Sequence, residues 1–185
     1  MADETQTLEQ QIASFEKTWN YDASYTRHLL RAGPDVLRKF QQLTTIVDPH
    51  AAPQEVIFAA QTLAVLDGDC EPCLQLGVNM ALASGISADT VRAVLRGDER
   101  AMSEDVRLAY RFSRASLAKD VAGLDPLRRE VLDRWGDKGL TAIALAITVA
   151  RMVPTLKYPL GYGRRCEKVA VKGETIALRD RPAAA

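Results

Sequence analysis

The spacing of apolar residues constrains the fold of this chain more than any other feature, because they recur at three- and four-residue steps along most of its length. Side chains at that spacing share one face of an α-helix, and glycine, proline or serine marks the change from one segment to the next. The pattern predicts helices over residues 5–19, 22–30, 34–46, 53–66, 70–84, 88–96, 104–117, 125–135 and 140–158. The predicted fold class is therefore all-α.

The C-terminal tail has a different pattern. Val169 and Val171 alternate with other residues, and Ile176 and Leu178 do so again after a break. Alternation of this kind predicts a small β-hairpin. Because an isolated hairpin is only marginally stable in water, we expect it to pack against the helical body or a neighbouring subunit. The last residues, RPAAA, are expected to be disordered.

Composition limits the classes of partner. The chain has 185 residues, of which 47% are hydrophobic and 26% charged, as is ordinary for a soluble globular protein. Lysine and arginine together number 24, as do aspartate and glutamate, so the formal net charge is +0. A chain with this balance is not expected to bind nucleic acid or an anionic membrane surface.

The sequence also predicts a location. Its start, MADETQTLEQQ, is polar and acidic, whereas a secretory signal is basic and then apolar. The most apolar stretch, Leu140 to Val153, contains Arg151 and is shorter than the ~18–20 apolar residues that a membrane span needs. Three cysteines in such a chain fit a reducing compartment. We therefore expect a cytoplasmic protein without a membrane span.

Two cysteines, Cys70 and Cys73, form a C-x-x-C at the predicted start of a helix. The unpaired N–H groups and the dipole of a helix start stabilise a thiolate there. Three-residue spacing places both sulfurs on one side of the first turn, close enough to form a disulfide. Pro72 is tolerated in a first turn, and the side chain of Glu71 is expected to face solvent. The motif predicts a dithiol/disulfide centre.

Two other interpretations of the cysteines stay open. In many proteins a cysteine is a small buried hydrophobic side chain without any reactivity, and this is the first alternative for the pair. A zinc site is the second alternative, but zinc needs four ligands. Cys166 lies far from the pair in the sequence, and neither His28 nor His50 has a ligand spacing. No metal and no other cofactor is predicted.

The C-x-x-C, a short helix after a glycine and a capped helix pair follow one another in order between residues 34 and 163. The stretches are PDVLRKFQQL (34–43), DGDCEPC (67–73), LASGISADTVRAVLRGD (82–98), SEDVRLAYRFSRASL (103–117) and DPLRREVLDRWGDKGLTAIALAITVARMVPTLKYPLG (125–161). In this order they resemble the alkylhydroperoxidase-D-like and carboxymuconolactone decarboxylase superfamily. The resemblance implies an all-helical bundle, assembly into homo-trimers or homo-hexamers and, in the redox branch, reduction of peroxides or disulfides through the cysteine pair.

The resemblance also implies a division of the chain. Residues 34–163 are expected to form the alkylhydroperoxidase-D-like helical domain. Residues 1–33 are then an N-terminal helical extension, and residues 164–185 are a C-terminal tail that contains the predicted hairpin.

The chain departs from the family pattern at two positions. The redox branch has a glutamate twelve residues before the first cysteine and a histidine four residues after the second, where this chain has Phe58 and Gly77. Glu55 lies one turn before Phe58 on the same helix face and is our candidate for a catalytic carboxylate. The alternative for Glu55 is a first-turn acid that stabilises its own helix. Gln75 can donate a hydrogen bond but cannot act as a base.

The missing histidine limits the predicted chemistry. General-base assistance is worth ~10²–10⁴ in rate, so the chain is expected to be a poor peroxidase. Disulfide exchange needs only a thiolate and an accessible partner sulfur, and it is still expected. By resemblance, Cys73 is the sulfur that meets the substrate and Cys70 is its resolving partner.

Other polar residues have simpler predicted roles. Arg151, inside an apolar helix, is expected to be buried and to pair with an acidic residue across a helix contact or to line the active pocket. Asp67 and Asp69 are expected to be cap and turn residues. Cys166 is expected to be a bystander, next to an exposed arginine pair.

These observations lead to one prediction and one rival. We predict a thiol–disulfide oxidoreductase or weak peroxidase that acts on a protein or small-molecule disulfide or on a hydroperoxide, and that is a homo-oligomer. The rival is a redox-silent protein of the same fold that serves as a binding or assembly module. Lactone decarboxylation is a weaker third alternative, because the sequence places no proton-donating histidine for it.

Overall fold

The computed structural model describes residues 2–178, and this part of the chain is helical apart from one hairpin. In chain order its elements are α1 (Ala2–Trp19), α2 (Ser24–Ala32), α3 (Pro34–Leu43), α4 (Gln54–Asp67), α5 (Glu71–Ala83), α6 (Ala88–Arg96), α7 (Glu104–Ala118), α8 (Val121–Lys157), β1 (Lys168–Val171) and β2 (Glu174–Ala177). The prediction of an all-α protein with a small C-terminal hairpin is confirmed. The predicted disorder of RPAAA falls outside the described residues.

Local capping signals set several helix boundaries. Ser87 Oγ accepts a hydrogen bond of 3.0 Å from the Thr90 N–H at the start of α6, and Ser103 Oγ accepts one of 3.3 Å from the Val106 N–H at the start of α7. Helix α6 ends at Gly97, whose φ of 67° lies in the left-handed region that favours glycine. These boundaries were predicted from the sequence and are confirmed.

Helix α8 joins two segments that were predicted as separate helices. It is interrupted at Gly136, where φ is 63° and ψ is −171°, so the predicted break at this glycine is confirmed. The first segment begins at Val121, earlier than predicted. The reason is that Asp120 caps it, with its Oδ1 accepting a hydrogen bond of 3.0 Å from the Gly123 N–H.

The main core forms around α4, which contacts α5, α6, α7 and α8. Its fully buried side chains include Val56, Leu95 and Ile143. Val169 and Val171 of the hairpin are buried in the same core, so the hairpin packs against the helical body as predicted. This packing brings the C-terminal tail next to α5.

A second, smaller core cluster joins α1, α2 and α3. Leu8 and Ile12 of α1 and Leu37 of α3 are buried in it. Arg27 of α2 fixes the arrangement by donating to both carboxylate oxygens of Glu16, at 2.6 and 2.7 Å, and it also pairs with Glu9. The predicted domain boundary at residue 33 stays a prediction, and α3 shares its core with the two helices before it.

Within residues 2–178, α8 is long and apolar enough, by length and composition, to cross a membrane. Its most apolar window has a mean hydropathy of 1.6, and 39% of that window is buried inside the protein. The core helix of a soluble protein meets the same criterion, so this is weak evidence. The expectations of a cytoplasmic location and of no membrane span stay predictions.

Candidate functional site

Cys70 and Cys73 are joined by a disulfide at the start of α5, with their Cα atoms 5.3 Å apart. Cys70 is the N-cap residue, with φ −119° and ψ 93°, and Cys73 lies in the first turn. Pro72 fits between them because a first-turn residue has no intrahelical N–H partner to lose. The spacing correctly predicted that the two sulfurs can bond.

The N-cap of α5 has no side-chain hydrogen bond to the helix. The carbonyl of Cys70 accepts the first intrahelical bond, from the Leu74 N–H at 3.0 Å. The first-turn N–H groups of a helix have no intrahelical acceptor, and Cys73 is in that turn. Pro72 has no N–H, and the Glu71 N–H is bonded to the Arg164 carbonyl. When the disulfide opens, a thiolate at the N-cap therefore has the Cys73 N–H and the positive end of the α5 dipole to stabilise it.

Both cysteines are buried, with 0% of Cys70 and 8% of Cys73 exposed. The segment 162–167, which leads from the turn after α8 to β1 without regular secondary structure, runs past this helix start. We call this segment the strap. Its contacts with α5 are the part of the site that sequence analysis missed.

The strap is bonded to the residues on both sides of Cys70. The Glu71 N–H donates to the Arg164 carbonyl at 3.2 Å, and the Cys166 N–H donates to Asp69 Oδ1 at 2.7 Å. Asp69 has a φ of 51°, so its predicted role as a turn residue is confirmed. Cys166, predicted to be a bystander, is thereby bonded through its backbone to the residue that precedes Cys70.

The carboxylate of Glu71 binds the end of the strap. Its Oε2 accepts hydrogen bonds from the N–H groups of Glu167 and Lys168, at 3.0 and 3.1 Å. The expectation that Glu71 faces solvent is therefore wrong. Two backbone N–H groups in one carboxylate make a charge-assisted contact, which is stronger than two neutral hydrogen bonds.

One turn further along α5, Gln75 anchors the hairpin. Its Nε2 donates to the Ala170 carbonyl at 3.0 Å, and its Oε1 accepts from the Ala170 N–H at 2.8 Å. The outer edge of β1 is thus paired with side chains of α5, which removes an exposed strand edge. A cavity of about 300 Å³ lies beside these contacts, between Trp19, Pro72 and Lys168.

Tyr158 holds the strap side of the site from the end of α8. Its hydroxyl donates to the Asp69 carbonyl at 2.8 Å. Burial raises the pKa of Tyr158, and the negative charge of Asp69 adds to the rise. The hydroxyl therefore keeps its proton at neutral pH and remains a donor.

A buried lysine lies close to the strap. Lys157 is 3% exposed, and its Nζ donates to the Tyr21 hydroxyl at 3.2 Å. Burial lowers the pKa of Lys157, Asp22 opposes the shift and Arg164 of the strap adds to it. Lys157 lies three residues after Pro154, and both face inward on α8. This helical spacing is the signal in the sequence for a buried lysine, and the sequence analysis missed it.

Arg151 has the acidic partner that was predicted. Its Nη1 lies 2.6 Å from Oδ2 of Asp67, which joins α8 to the end of α4 just before the disulfide. The side chain of Arg151 is 43% exposed, so the expectation of a buried arginine is wrong. The pair fixes the α4–α5 turn from the outside.

Glu55, the predicted catalytic carboxylate, is half-buried in the first turn of α4. Asp67 ends the same helix twelve residues later, three residues before Cys70. Glu55 therefore lies about 18 Å along the helix axis from the end of α4 that is next to the disulfide. Phe58 is buried in the main core, whereas Gly77 is exposed, with open space where a Cβ would lie. The role of Glu55 in catalysis stays a prediction.

The two histidines lie in different surroundings. His28 is half-buried, and its Nδ1 is 3.5 Å from the hydroxyl of Tyr162 in the strap. His50 is exposed in the loop before α4. Residues 2–178 contain no group of three or more His, Cys, Asp or Glu side chains that could hold a metal ion.

Comparison with known proteins adds no further constraint on this site. No protein-family model, no curated protein and no solved structure matches the chain. The resemblance to the alkylhydroperoxidase-D-like superfamily therefore stays a prediction. The functional argument depends on the geometry around Cys70 and Cys73.

Proposed function

We propose that the protein is a thiol–disulfide oxidoreductase that cycles Cys70 and Cys73 between dithiol and disulfide. The observation that carries the proposal is the disulfide at the start of α5, with a cysteine in the N-cap position. A sulfur at such a position gains thiolate character from the helix start, and the thiolate is the species that attacks and leaves in disulfide exchange.

The reaction uses the two sulfurs differently. A substrate thiolate attacks Sγ of Cys73, a mixed disulfide forms, and Cys70 leaves as a thiolate stabilised at the N-cap of α5. A second substrate thiolate then attacks the substrate sulfur of the mixed disulfide and releases Cys73. The substrate dithiol loses two electrons and two protons, and the protein disulfide gains them. The reverse sequence reduces a substrate disulfide.

A hydroperoxide is the lesser substrate in this proposal. A thiolate would attack one oxygen of the O–O bond to give a sulfenic acid, and the other oxygen would leave as the alcohol, or as water from hydrogen peroxide. The second cysteine would then attack the sulfenic sulfur, form the disulfide and release water. The position one turn after Cys73 is Gly77, which offers no base. Without general-base assistance, which is worth ~10²–10⁴ in rate, the peroxide reaction is expected to be slow.

The burial of both cysteines favours a second candidate. If the strap never opens, the disulfide is inert, and the protein is a binding or assembly module of the same fold. The two candidates differ in whether a thiol reagent reaches the disulfide while the protein stays folded.

A kinetic measurement separates the two candidates. The oxidised protein is mixed with dithiothreitol, and intact mass after acid quench follows the opening of the disulfide while circular dichroism follows the fold. The redox proposal predicts opening faster than global unfolding, and a return to the disulfide when oxidised glutathione is added. Opening only at the rate of unfolding would favour the inert module.

We also propose that the protein is a homo-oligomer, a trimer or a hexamer. The proposal is supported by α8, whose apolar window is mostly unburied within one chain. Ala144 is exposed there, and Leu145 and Met152 are partly exposed. Sedimentation equilibrium is expected to give at least three times the 20.3 kDa mass of the chain. A monomer at all concentrations would contradict it.

A further inference from the structure

We infer that the start of α5 is a docking site for a polypeptide segment that carries a cysteine, and that the strap occupies this site as an intramolecular stand-in for the substrate. The inference rests on the proposed function and adds the substrate class to it. A protein or peptide thiol, rather than a small molecule, is then the substrate that the site is built to hold.

The first support is that Asp69 and Glu71 form these hydrogen bonds with the backbone of the strap and not with its side chains. The Glu71 N–H donates to a strap carbonyl, and the carboxylates of Asp69 and Glu71 accept strap N–H groups. The N–H groups of Glu167 and Lys168 converge on one oxygen of Glu71, so the bound backbone turns there. Any sequence without proline at these positions presents the same backbone groups. These three groups therefore suit a range of substrate polypeptides.

The second support is the register of the strap. Arg164 and Cys166 are bonded to Glu71 and Asp69, the two neighbours of Cys70. A cysteine thus already lies in the bound segment, with its N–H on the residue that precedes Cys70. A substrate segment bound in the same register would bring its own cysteine to the same place.

The third support is that most of the strap lies at the surface. The segment has no regular secondary structure, and the side chains of Arg164, Arg165 and Glu167 are exposed. Tyr162 and Cys166 are partly buried against the two cores, and the Glu167 carbonyl accepts the Leu178 N–H at 3.0 Å. Displacing the strap breaks these contacts, whereas the hairpin keeps the hydrogen bonds of Gln75 and its own buried side chains.

The test weakens the binding of the strap to α5 by changing a residue of the strap, so that the docking groups of Asp69 and Glu71 are unchanged. Glu167→Pro removes one N–H that Glu71 accepts, and Glu167→Ala keeps that N–H as the matched control. The probe is a peptide with blocked ends and the sequence YGRRCEK, which corresponds to residues 162–168. Its control is the same peptide N-methylated at the glutamate and the lysine, which keeps the thiol and the charges but loses two N–H donors.

We expect the unmodified peptide to form a mixed disulfide with Glu167→Pro about tenfold faster than with the unmodified protein, since a charge-assisted hydrogen bond is lost from the strap. Glu167→Ala should stay within about twofold of the unmodified protein. The N-methylated peptide should react about tenfold more slowly than the parent peptide, for the same reason on the substrate side. Intact mass after acid quench measures all three rates.

Glu71→Ala provides a second variant, because it loosens the strap and also removes a docking group. It should react faster with dithiothreitol but lose the preference for the unmodified peptide. Equal rates for the two peptides in a folded Glu167→Pro that dithiothreitol opens would overturn the docking site and leave the proposed function intact. A disulfide that no thiol opens in any folded variant would overturn both.

Discussion

The start of α5 differs from the starts of α6 and α7 in what occupies the N-cap. Helices α6 and α7 have serines, Ser87 and Ser103, whose hydroxyl oxygens accept a helix N–H. Helix α5 has Cys70, which makes no such bond, and the Glu71 N–H goes to the strap. Two helices are capped by a serine side chain, whereas the start of α5 carries the disulfide and a hydrogen bond to the strap.

This difference has a physical reason. A hydroxyl cap occupies the N–H groups that would otherwise stabilise a thiolate. The strap restores part of the lost stability, because it supplies hydrogen-bonding partners from a separate segment. Under the proposed function such partners are withdrawn when a substrate arrives, whereas a serine cap is a permanent part of the helix.

The largest expected effect comes from removing the sulfur that is proposed to meet the substrate. Cys73→Ser is expected to abolish turnover, because Cys70 alone can form one mixed disulfide but cannot close the C-x-x-C disulfide. Cys166→Ser is the matched control and should keep exchange with small thiols, since it leaves the C-x-x-C intact. Stopped-flow assays with a chromogenic disulfide measure both. Repeated turnover in Cys73→Ser would place the chemistry elsewhere.

Adding a base to α5 should give the next largest effect. Gly77→His places an imidazole one turn after Cys73, where a Cβ meets no other atom within 4 Å. It is expected to raise the rate of hydroperoxide consumption by about 10²-fold, the lower end of general-base assistance. Gly77→Ala is the control and should leave that rate unchanged. No gain in Gly77→His would contradict the family resemblance at this position.

The contrast between the two kinds of cap can be reversed at α5. Cys70→Ser supplies a hydroxyl at the N-cap, so the variant should be more stable than the reduced unmodified protein by about 0.5–1 kcal/mol. It cannot form the disulfide and should not turn over. Urea unfolding of both reduced proteins measures the difference. A less stable variant would mean that Cys70 is held by packing that a hydroxyl disrupts.

The serine cap of α7 can also be removed, with a smaller expected effect on function. Ser103→Ala removes the bond to the Val106 N–H and should lower the free energy of unfolding by about 1 kcal/mol. The rate of disulfide exchange should not change. A change in that rate would show that the start of α7 and the redox site are coupled.

The parts of this structure that could be predicted depend on neighbours in sequence. The caps Ser87 and Ser103 and the break at Gly136 are local signals, and each lies where it was predicted. The cysteine pair belongs to the same class, because three-residue spacing alone brings its sulfurs together.

The strap could not be predicted, because its contacts join residues far apart in the chain. Glu71 accepts the N–H of Glu167, 96 positions later, and a glutamate in a first turn otherwise faces solvent. This contact depends on α8, because that long helix brings the chain back to the start of α5. The position of the end of α8 is determined by how the helices pack, which the sequence pattern does not show.

The most direct test of the central claim is the thiol pKa of the reduced protein, measured by thiolate absorbance against pH, with Cys166→Ser to remove the third thiol. An ordinary cysteine has a pKa of about 8.5, and we expect one thiol of the pair to ionise about one unit or more below that value, with the signal lost in Cys70→Ser. Two thiols that both ionise at or above about 8.5 would contradict a helix start that activates sulfur.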